Sequence, residues 1–273
     1  MNSKPVKQLH LGQAQAAAVR AAQSAGALLR RHLHADKRAH LVTQHDIKLE
    51  LDVRCQALIE KALRRAFPRV ALLGEEGVAG RADAEYRWVV DPIDGTVNFA
   101  YGIPHACVSI ALQRRAETAR AAEFEDGYQT MAGVVYDPFC DELWTGIRGQ
   151  AARLNGKIIR VSGRRKLREA IVSIGFAKSQ ATLNATLPYF NQLVHRIRKI
   201  RMMGSAALAL AYVANGRFDA YIEQGISLWD VAAGGLIVEC AGGEFWHKAI
   251  SGEHKYRMVA SNGLLRRSLR VPD

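Results

Sequence analysis

The chain is predicted to be a mixed α/β protein in which helices and sheets form layers. Three observations predict this. Segments with helical periodicity alternate with short strand-like runs, three successive runs in the middle read as antiparallel strands, and no internal repeat divides the chain. At 273 residues with 49% hydrophobic side chains, it can bury a sizeable core as one large domain or two smaller ones that share an interface.

The elements follow in order. From Leu9 to Leu33, the residues Leu11, Ala14, Ala18, Ala22, Ala25 and Leu29 recur at steps of three and four, as on one face of a long amphipathic helix. The polar stretch His32 to His45 carries four histidines at a spacing that fits no common zinc pattern, so it reads as a surface loop. Asp52 precedes a second amphipathic helix, Val53 to Phe67, closed by Pro68. Val70 to Leu73 is a short buried strand running into Gly74-Glu75-Glu76, and Arg87 to Val90 is the next strand. Val108 to Gln113, Met131 to Tyr136 and Glu142 to Ile147 are the antiparallel strands, with Asp137-Pro138 as a turn. Arg114 to Tyr128 is charged and aperiodic, an extended hairpin loop.

A break in character near Val161 to Arg165 separates an N-terminal half, 1–160, from a C-terminal half, 161–273. The second half holds a strand at Ala170 to Gly175, a helix from Leu183 to Lys199 and a small-residue helix from Ser205 to Ala214. A strand at Ala220 to Ile222, a helix from Leu228 to Cys240 and a last strand at Met258 to Ser261 complete it.

Composition excludes several classes. No apolar run approaches the roughly 18 to 20 residues that cross a membrane, and the polar start Met1 to Lys7 does not resemble a secretory signal, so the expected location is cytoplasmic. The four cysteines are scattered, with no Cys-x-x-Cys pair, which argues against disulfides and structural zinc. The formal net charge of +12 is the one oddity, and it favours anionic partners. The basic clusters Arg114-Arg115, Arg164-Arg165-Lys166, Arg196 to Arg201 and Arg266-Arg267 lack interleaved aromatics, so they read chiefly as solvated faces rather than a base-stacking platform.

The chemistry lies in the acidic residues at element ends. In Asp91-Pro92-Ile93-Asp94-Gly95-Thr96, two carboxylates end a strand-like run beside a Gly-Thr step. Their oxygens and the Ile93 carbonyl suit Mg²⁺, and Gly95 lets the backbone approach a phosphate, with the Gly95 and Thr96 amides opening a helix. A strand-turn-helix corner in which both aspartates merely cap would use the same residues. Asp230, after Trp229, would serve equally as a helix N-cap or a metal ligand. Glu75 follows a strand and can face a cleft. Carboxylates gathered this way repel one another without cations, and a two-metal phosphoryl-transfer site resolves the repulsion. Thr96 would orient the water, with Glu75 as base and ligand.

Gly74-Glu75-Glu76, Asp91 to Phe99 and Trp229-Asp230-Val231-Ala232-Ala233-Gly234 together resemble the signatures of the inositol monophosphatase family, in family order and over nearly the whole chain. The resemblance implies the layered αβαβα sandwich of the sugar phosphatases, a homodimer, and Mg²⁺-dependent hydrolysis inhibited by Li⁺. It places metal ligands on Glu75, Asp91, the carbonyl of Ile93, Asp94 and Asp230. The water-activating threonine falls on Thr96, paired with an upstream aspartate. Asp46 follows a Val-Thr-x-x-Asp string like the family's local motif. Asp52 stands 16 residues before Pro68 and 23 before Glu75, gaps that need no insertion, and it is chosen over Asp46. Leu49-Glu50-Leu51 then replaces the usual upstream threonine.

For the substrate, the resemblance points to Gly95, Thr96, the Gly204-Ser205-Ala206 step and Glu223, which would accept hydrogen bonds from polyol hydroxyls. Inositol 1-phosphate is the leading substrate. Histidinol phosphate, fructose 1,6-bisphosphate and 3′-phosphoadenosine nucleotides are alternatives, although Thr96-Val97-Asn98-Phe99 is more similar to the inositol branch than to the nucleotide branch. A function of another class, an RNA or RNA-complex binding module, is motivated by the basic charge.

Overall fold

The computed structural model describes residues 9–35, 39–42, 47–176 and 180–269. Helices α1 (Leu11–His32) and α2 (Glu50–Ala66) flank a small hairpin of β1 (Ala39–Val42) and β2 (Ile47–Leu49). An eight-stranded sheet follows, built from β3 (Ala71–Gly74), β4 (Gly77–Ala79), β5 (Tyr86–Asp94), β6 (Cys107–Arg115), β7 (Tyr128–Asp137), β8 (Glu142–Ile147), β9 (Arg153–Leu154) and β10 (Lys157–Ile158). Its order is β10-β9-β8-β7-β6-β5-β3-β4, with the short helix α3 (Thr96–Ala100) leaving the end of β5. The second sheet has five strands: β11 (Ile171–Ile174), β12 (Lys199–Arg201), β13 (Ala220–Ser227), β14 (Glu244–Ala249) and β15 (Lys255–Ser261), in the order β12-β11-β13-β15-β14. Helices α4 (Gln180–Val194), α5 (Ala206–Ala214), α6 (Leu228–Cys240) and α7 (Arg266–Leu269) complete the fold.

Alternation along the strands assigns the layers. In β5, Trp88 and Val90 pack with the buried face of α1 and α2, while Val89 between them packs on the opposite side with α5 and α6. The α5 and α6 faces also meet Tyr221, Tyr256 and Met258 of the second sheet. The far side of that sheet, with Val172, Ile222 and Val259, buries Tyr189 and Leu193 of α4 and Leu265 and Leu269 around α7. The stacking is therefore α1/α2, sheet, α5/α6, sheet, α4/α7, an αβαβα sandwich. Burial on both faces explains why β5 is an apolar run and not an alternating one. Close approach of the central helices needs glycine: a Cβ on Gly133 of β7 would lie 2.7 Å from the Ala233 carbonyl of α6.

Several boundaries differ from the sequence reading. The His32–His45 stretch, read as a loop, contains β1, because a four-residue strand has too few alternations to show a period. The helix read to Lys199 ends at Val194; Lys199–Arg201 instead pairs with β11, and the Ala170 carbonyl accepts from the amides of Arg198 and Lys199. The second helix starts at Glu50, which places Asp52 inside its first turn, where its carboxylate accepts the Leu49 amide over 2.6 Å. β13 and β15 are longer than read, and β14 was missed. The cysteines are free, with Cys55 and Cys107 buried. No helix among the described residues is long and apolar enough to cross a membrane.

Candidate active site

The cleft that receives the acidic residues lies where the carboxyl end of β5 meets the amino ends of α5 and α6. Regular strands point residues three apart to opposite faces. Between β5 and β6, however, Asp91 pairs with Ser109 and Asp94 with Cys107, so β5 carries one extra residue in this interval. Such a bulge re-aims a side chain, and Pro92, which has no amide to lose, sits inside it. Asp91 and Asp94 therefore reach the same cleft. The Asp91 carboxylate also accepts the Ile93 amide over 2.9 Å, which fixes the bulge from within.

Asp230 arrives from another layer. It sits in the first turn of α6 and accepts the Ser227 amide over 2.9 Å, so it does cap that turn. One carboxylate oxygen can do this and still leave the other turned to the cleft. Ser109 of β6 holds the helix start by donating to the Trp229 carbonyl over 3.1 Å. Asp91, Asp94 and Asp230 thus bring ligand atoms to within 4.8 Å of one another. Glu75 lines the same cleft, its amide bonded to the Val90 carbonyl over 3.1 Å.

The electrostatics follow from burial and crowding. Burial, and then Glu75, Asp94 and Asp230, push the Asp91 carboxyl well above the usual range. Burial and Asp94 push Asp230 up to about 6, against the opposing Ser227 amide. Asp94 is also raised by burial, although four donors oppose the shift. These donors are Ser205 Oγ at 2.5 Å, the Ala206 amide at 3.0 Å, the Ala207 amide at 2.7 Å and the Cys107 thiol at 3.5 Å. Asp94 is therefore held by the amino end of α5, where Ser205 and Ala206 bond this carboxylate and, with Gly204, also line the cleft. A hard dication is the group that relieves repulsion among buried carboxylates, and an all-oxygen donor set suits it.

Around this cluster, the Thr96 hydroxyl lies 2.8 Å from the Ile93 carbonyl and 3.4 Å from Asp52 Oδ1. Asp52 is 2% exposed, so it reaches Thr96 from behind the cleft wall. Asp46 lies outside the described residues. Gly95 has φ +96°, and a Cβ there would lie 2.9 Å from the His105 carbonyl and 3.2 Å from that of Gly204. Glycine is thus required on both conformational and steric grounds. Asn98 clamps the neighbouring segment, donating to the carbonyls of His105 (2.9 Å) and Met203 (2.8 Å). Glu223 lines the cleft and accepts from the Tyr221 hydroxyl. The whole cleft encloses about 740 Å³, room for a phosphorylated six-carbon body.

Two residues escaped the sequence reading. Gln56 of α2 accepts the Glu76 amide over 3.0 Å and donates to the Gly77 carbonyl over 3.3 Å, which sets the turn that presents Glu75. Lys255 lines the cleft near Ser227. In the sequence each is an ordinary polar residue, with no motif to mark it.

Comparison with known proteins gives a consistent picture. The profile of the inositol monophosphatase family matches residues 10–268. Nus factor SuhB of Xylella fastidiosa is 42% identical over 228 residues, covering 82% of this chain and 78% of that protein. Inositol monophosphatase 1 of Solanum lycopersicum is 40% identical over 233 residues, covering 83% and 81%. Among solved structures, the extragenic suppressor protein SuhB of Bartonella henselae matches with a TM-score of 0.82 at 34% identity, covering 93% of this chain and 95% of that one.

Proposed function

The chain belongs to the inositol monophosphatase family, and from that premise we propose that it is a Mg²⁺-dependent phosphomonoesterase of small polyol phosphates, with inositol 1-phosphate the first substrate to assay. The observation that carries this reading is the convergence of Asp91, Asp94 and Asp230 in a cleft that Glu75 and Glu223 also line. Glu75, Asp91, the Ile93 carbonyl, Asp94 and Asp230 would hold the cation. Bound there, Mg²⁺ would offset the charge of the phosphate and acidify a water molecule.

The chain's own groups do the rest. The Thr96 hydroxyl, oriented by the Ile93 carbonyl, keeps lone pairs free to accept a hydrogen bond from the attacking water. With the Ile93 carbonyl holding the cation, the hydroxyl proton would turn to Asp52 Oδ1, 3.4 Å away, as its acceptor, while Asp52 Oδ2 stays committed to the Leu49 amide. Glu223 accepts from vicinal hydroxyls of the substrate, its orientation set by Tyr221. The amino end of α5 keeps the Asp94 carboxylate from rotating, so it would present a fixed ligand to a cation. The family resemblance further supports a homodimer, which sedimentation of the purified chain would test.

Phosphate release from inositol 1-phosphate with Mg²⁺, compared between the parent and Asp94→Asn, tests the reading. The variant should lose more than the roughly 10- to 100-fold typical of groups that only orient a ligand. A parent that releases no phosphate from any sugar or polyol phosphate would refute it.

A second reading has its own support. Several relatives bear the name Nus factor SuhB, the net charge is +12, and Arg160, Arg164, Arg165 and Lys166 line an open cleft of about 700 Å³ far along the chain from the acidic site. We propose that this basic cleft engages RNA through its phosphate backbone, in addition to catalysis. Backbone binding weakens steeply with salt, so a mobility shift seen at low salt and lost at high salt is expected. No shift even at low salt removes the idea.

A further inference from the structure

The acidic cleft contains a lysine, Lys255, that forms no salt bridge among the described residues. Lys255 opens β15 opposite Ser227 at the end of β13, and its Nζ donates to Ser227 Oγ over 2.6 Å. Its aliphatic stem is fixed by the preceding turn. Gly252 has φ +111°, a backbone conformation that favours glycine, and a Cβ there would stand 3.1 Å from Lys255 Cγ, so the turn lies against the stem. The Ile250 amide bonds to the Lys255 carbonyl over 2.9 Å and secures the turn. Ile250 and Ser251 of that turn also line the cleft.

An ammonium group has three donors. Ser227 takes one, and among the described residues no carboxylate pairs with the group. Asp230 lies near enough to feel the Lys255 charge, but among the described residues no salt bridge joins the lysine to a carboxylate, and the hydrogen bond it donates goes to Ser227 Oγ. A phosphomonoester whose body carries only hydroxyls would bring the partly desolvated ammonium no anion of its own, an unfavourable arrangement.

We propose that Lys255 forms a second anion subsite, so that the cleft favours a phosphomonoester whose polyol or sugar body carries a second anionic group, phosphate or carboxylate. The proposal rests on the phosphatase reading above and narrows its substrate class. Charge-assisted hydrogen bonds from a lysine to either oxyanion would supply the preference.

The test uses the purified full chain with Mg²⁺, as parent, Lys255→Gln and Lys255→Arg. Fructose 1,6-bisphosphate and 3-phosphoglycerate represent the two anions, and inositol 1-phosphate the hydroxyl-only body. Removing one partner of a charged hydrogen bond should raise KM for a two-anion substrate by roughly 10- to 100-fold. The KM for inositol 1-phosphate should stay nearly unchanged, and arginine should restore most of the loss. A rise confined to the bisphosphate or to the phosphoglycerate identifies which anion is read. Equal losses on all three substrates overturn the subsite and make Lys255 a counter-charge of the acidic cluster. A parent inactive on every substrate counts against the phosphatase reading alone. The subsite is then judged by calorimetric affinity for fructose 1,6-bisphosphate, which must fall at least about tenfold in Lys255→Gln, and an unchanged affinity refutes it.

Discussion

Asp94 is both a cleft carboxylate and the acceptor that closes the amino end of α5, and Ser205 is where these two roles meet. The Ser205 hydroxyl donates to Asp94 Oδ2 over 2.5 Å, in a site where the serine is 4% exposed. Groups that orient a ligand typically change metal affinity by about 10- to 100-fold when lost. Ser205→Ala should therefore raise the Mg²⁺ concentration for half-maximal activity by about that factor, with little change in the substrate KM at saturating Mg²⁺. A change in substrate KM alone would instead mean that Ser205 touches the substrate directly. The acidic members of the cluster stood out in the sequence because each lies at an element end, where capping was an equal reading for Asp230, and the family resemblance supplied the metal reading. The bulge that lets Asp91 and Asp94 share a face was not legible, since it exists only relative to the register of β6. Gln56 and Lys255 were equally invisible, because their significance comes from what lies across a turn or a sheet.

At the scale of elements, the charged connection between β6 and β7 acts as a strap across the two sheets. Asp126 pairs with Arg87 of β5 at 2.5 Å, Phe124 stacks on the His247 ring of β14 at 4.5 Å, and Glu125 accepts the Ala249 amide over 3.0 Å. Glu123, in the same strap, accepts from Arg148 (2.6 Å) and from the Thr130 amide (3.0 Å), while its other oxygen is buried without a partner among the described residues. Burial raises its pKa to about 7, with Arg148 opposing. A carboxyl raised in the folded state stabilises the fold fully below its unfolded pKa, near 4.3. That contribution declines as pH rises toward 7 and is absent above it. The Tm of the parent relative to Glu123→Gln should therefore fall between about pH 4.3 and 7 and then level off. A difference that grows with pH would mean the Arg148 pair outweighs burial. Long helices such as α1, α2 and α6 were readable from period and caps. Short edge strands such as β12 and β14 were not, because they exist only through pairing with a neighbour. The strap itself read correctly as a loop, but nothing in its charge pattern reveals what it ties together.

For the whole molecule, the layer order decides what a bound cation would do. The αβαβα stacking came from the family resemblance, since periodicity finds helices and strands but not which face meets which. Within that stacking, Asp91 and Asp94 extend from the eight-stranded sheet, whereas Asp230 belongs to a helix packed between both sheets. A cation shared by these residues would join two layers and relieve a repulsion that folding increases, because Asp230 is far from Asp91 and Asp94 in the unfolded chain. Ligands that bind only the folded state stabilise it by mass action, by about 2.7 kcal/mol at a hundred times the dissociation constant. For a chain somewhat above 250 residues, this corresponds to a Tm rise of about 5 °C. Mg²⁺ should therefore raise the Tm in a saturable way. Asp230→Asn should remove most of the rise, as Asp94→Asn should, although the two residues sit on different elements. A Tm indifferent to Mg²⁺ in the parent would show that the cluster holds no such cation. A rise that survives Asp230→Asn but not Asp94→Asn would confine the cation to the β5 bulge and remove α6 from the site.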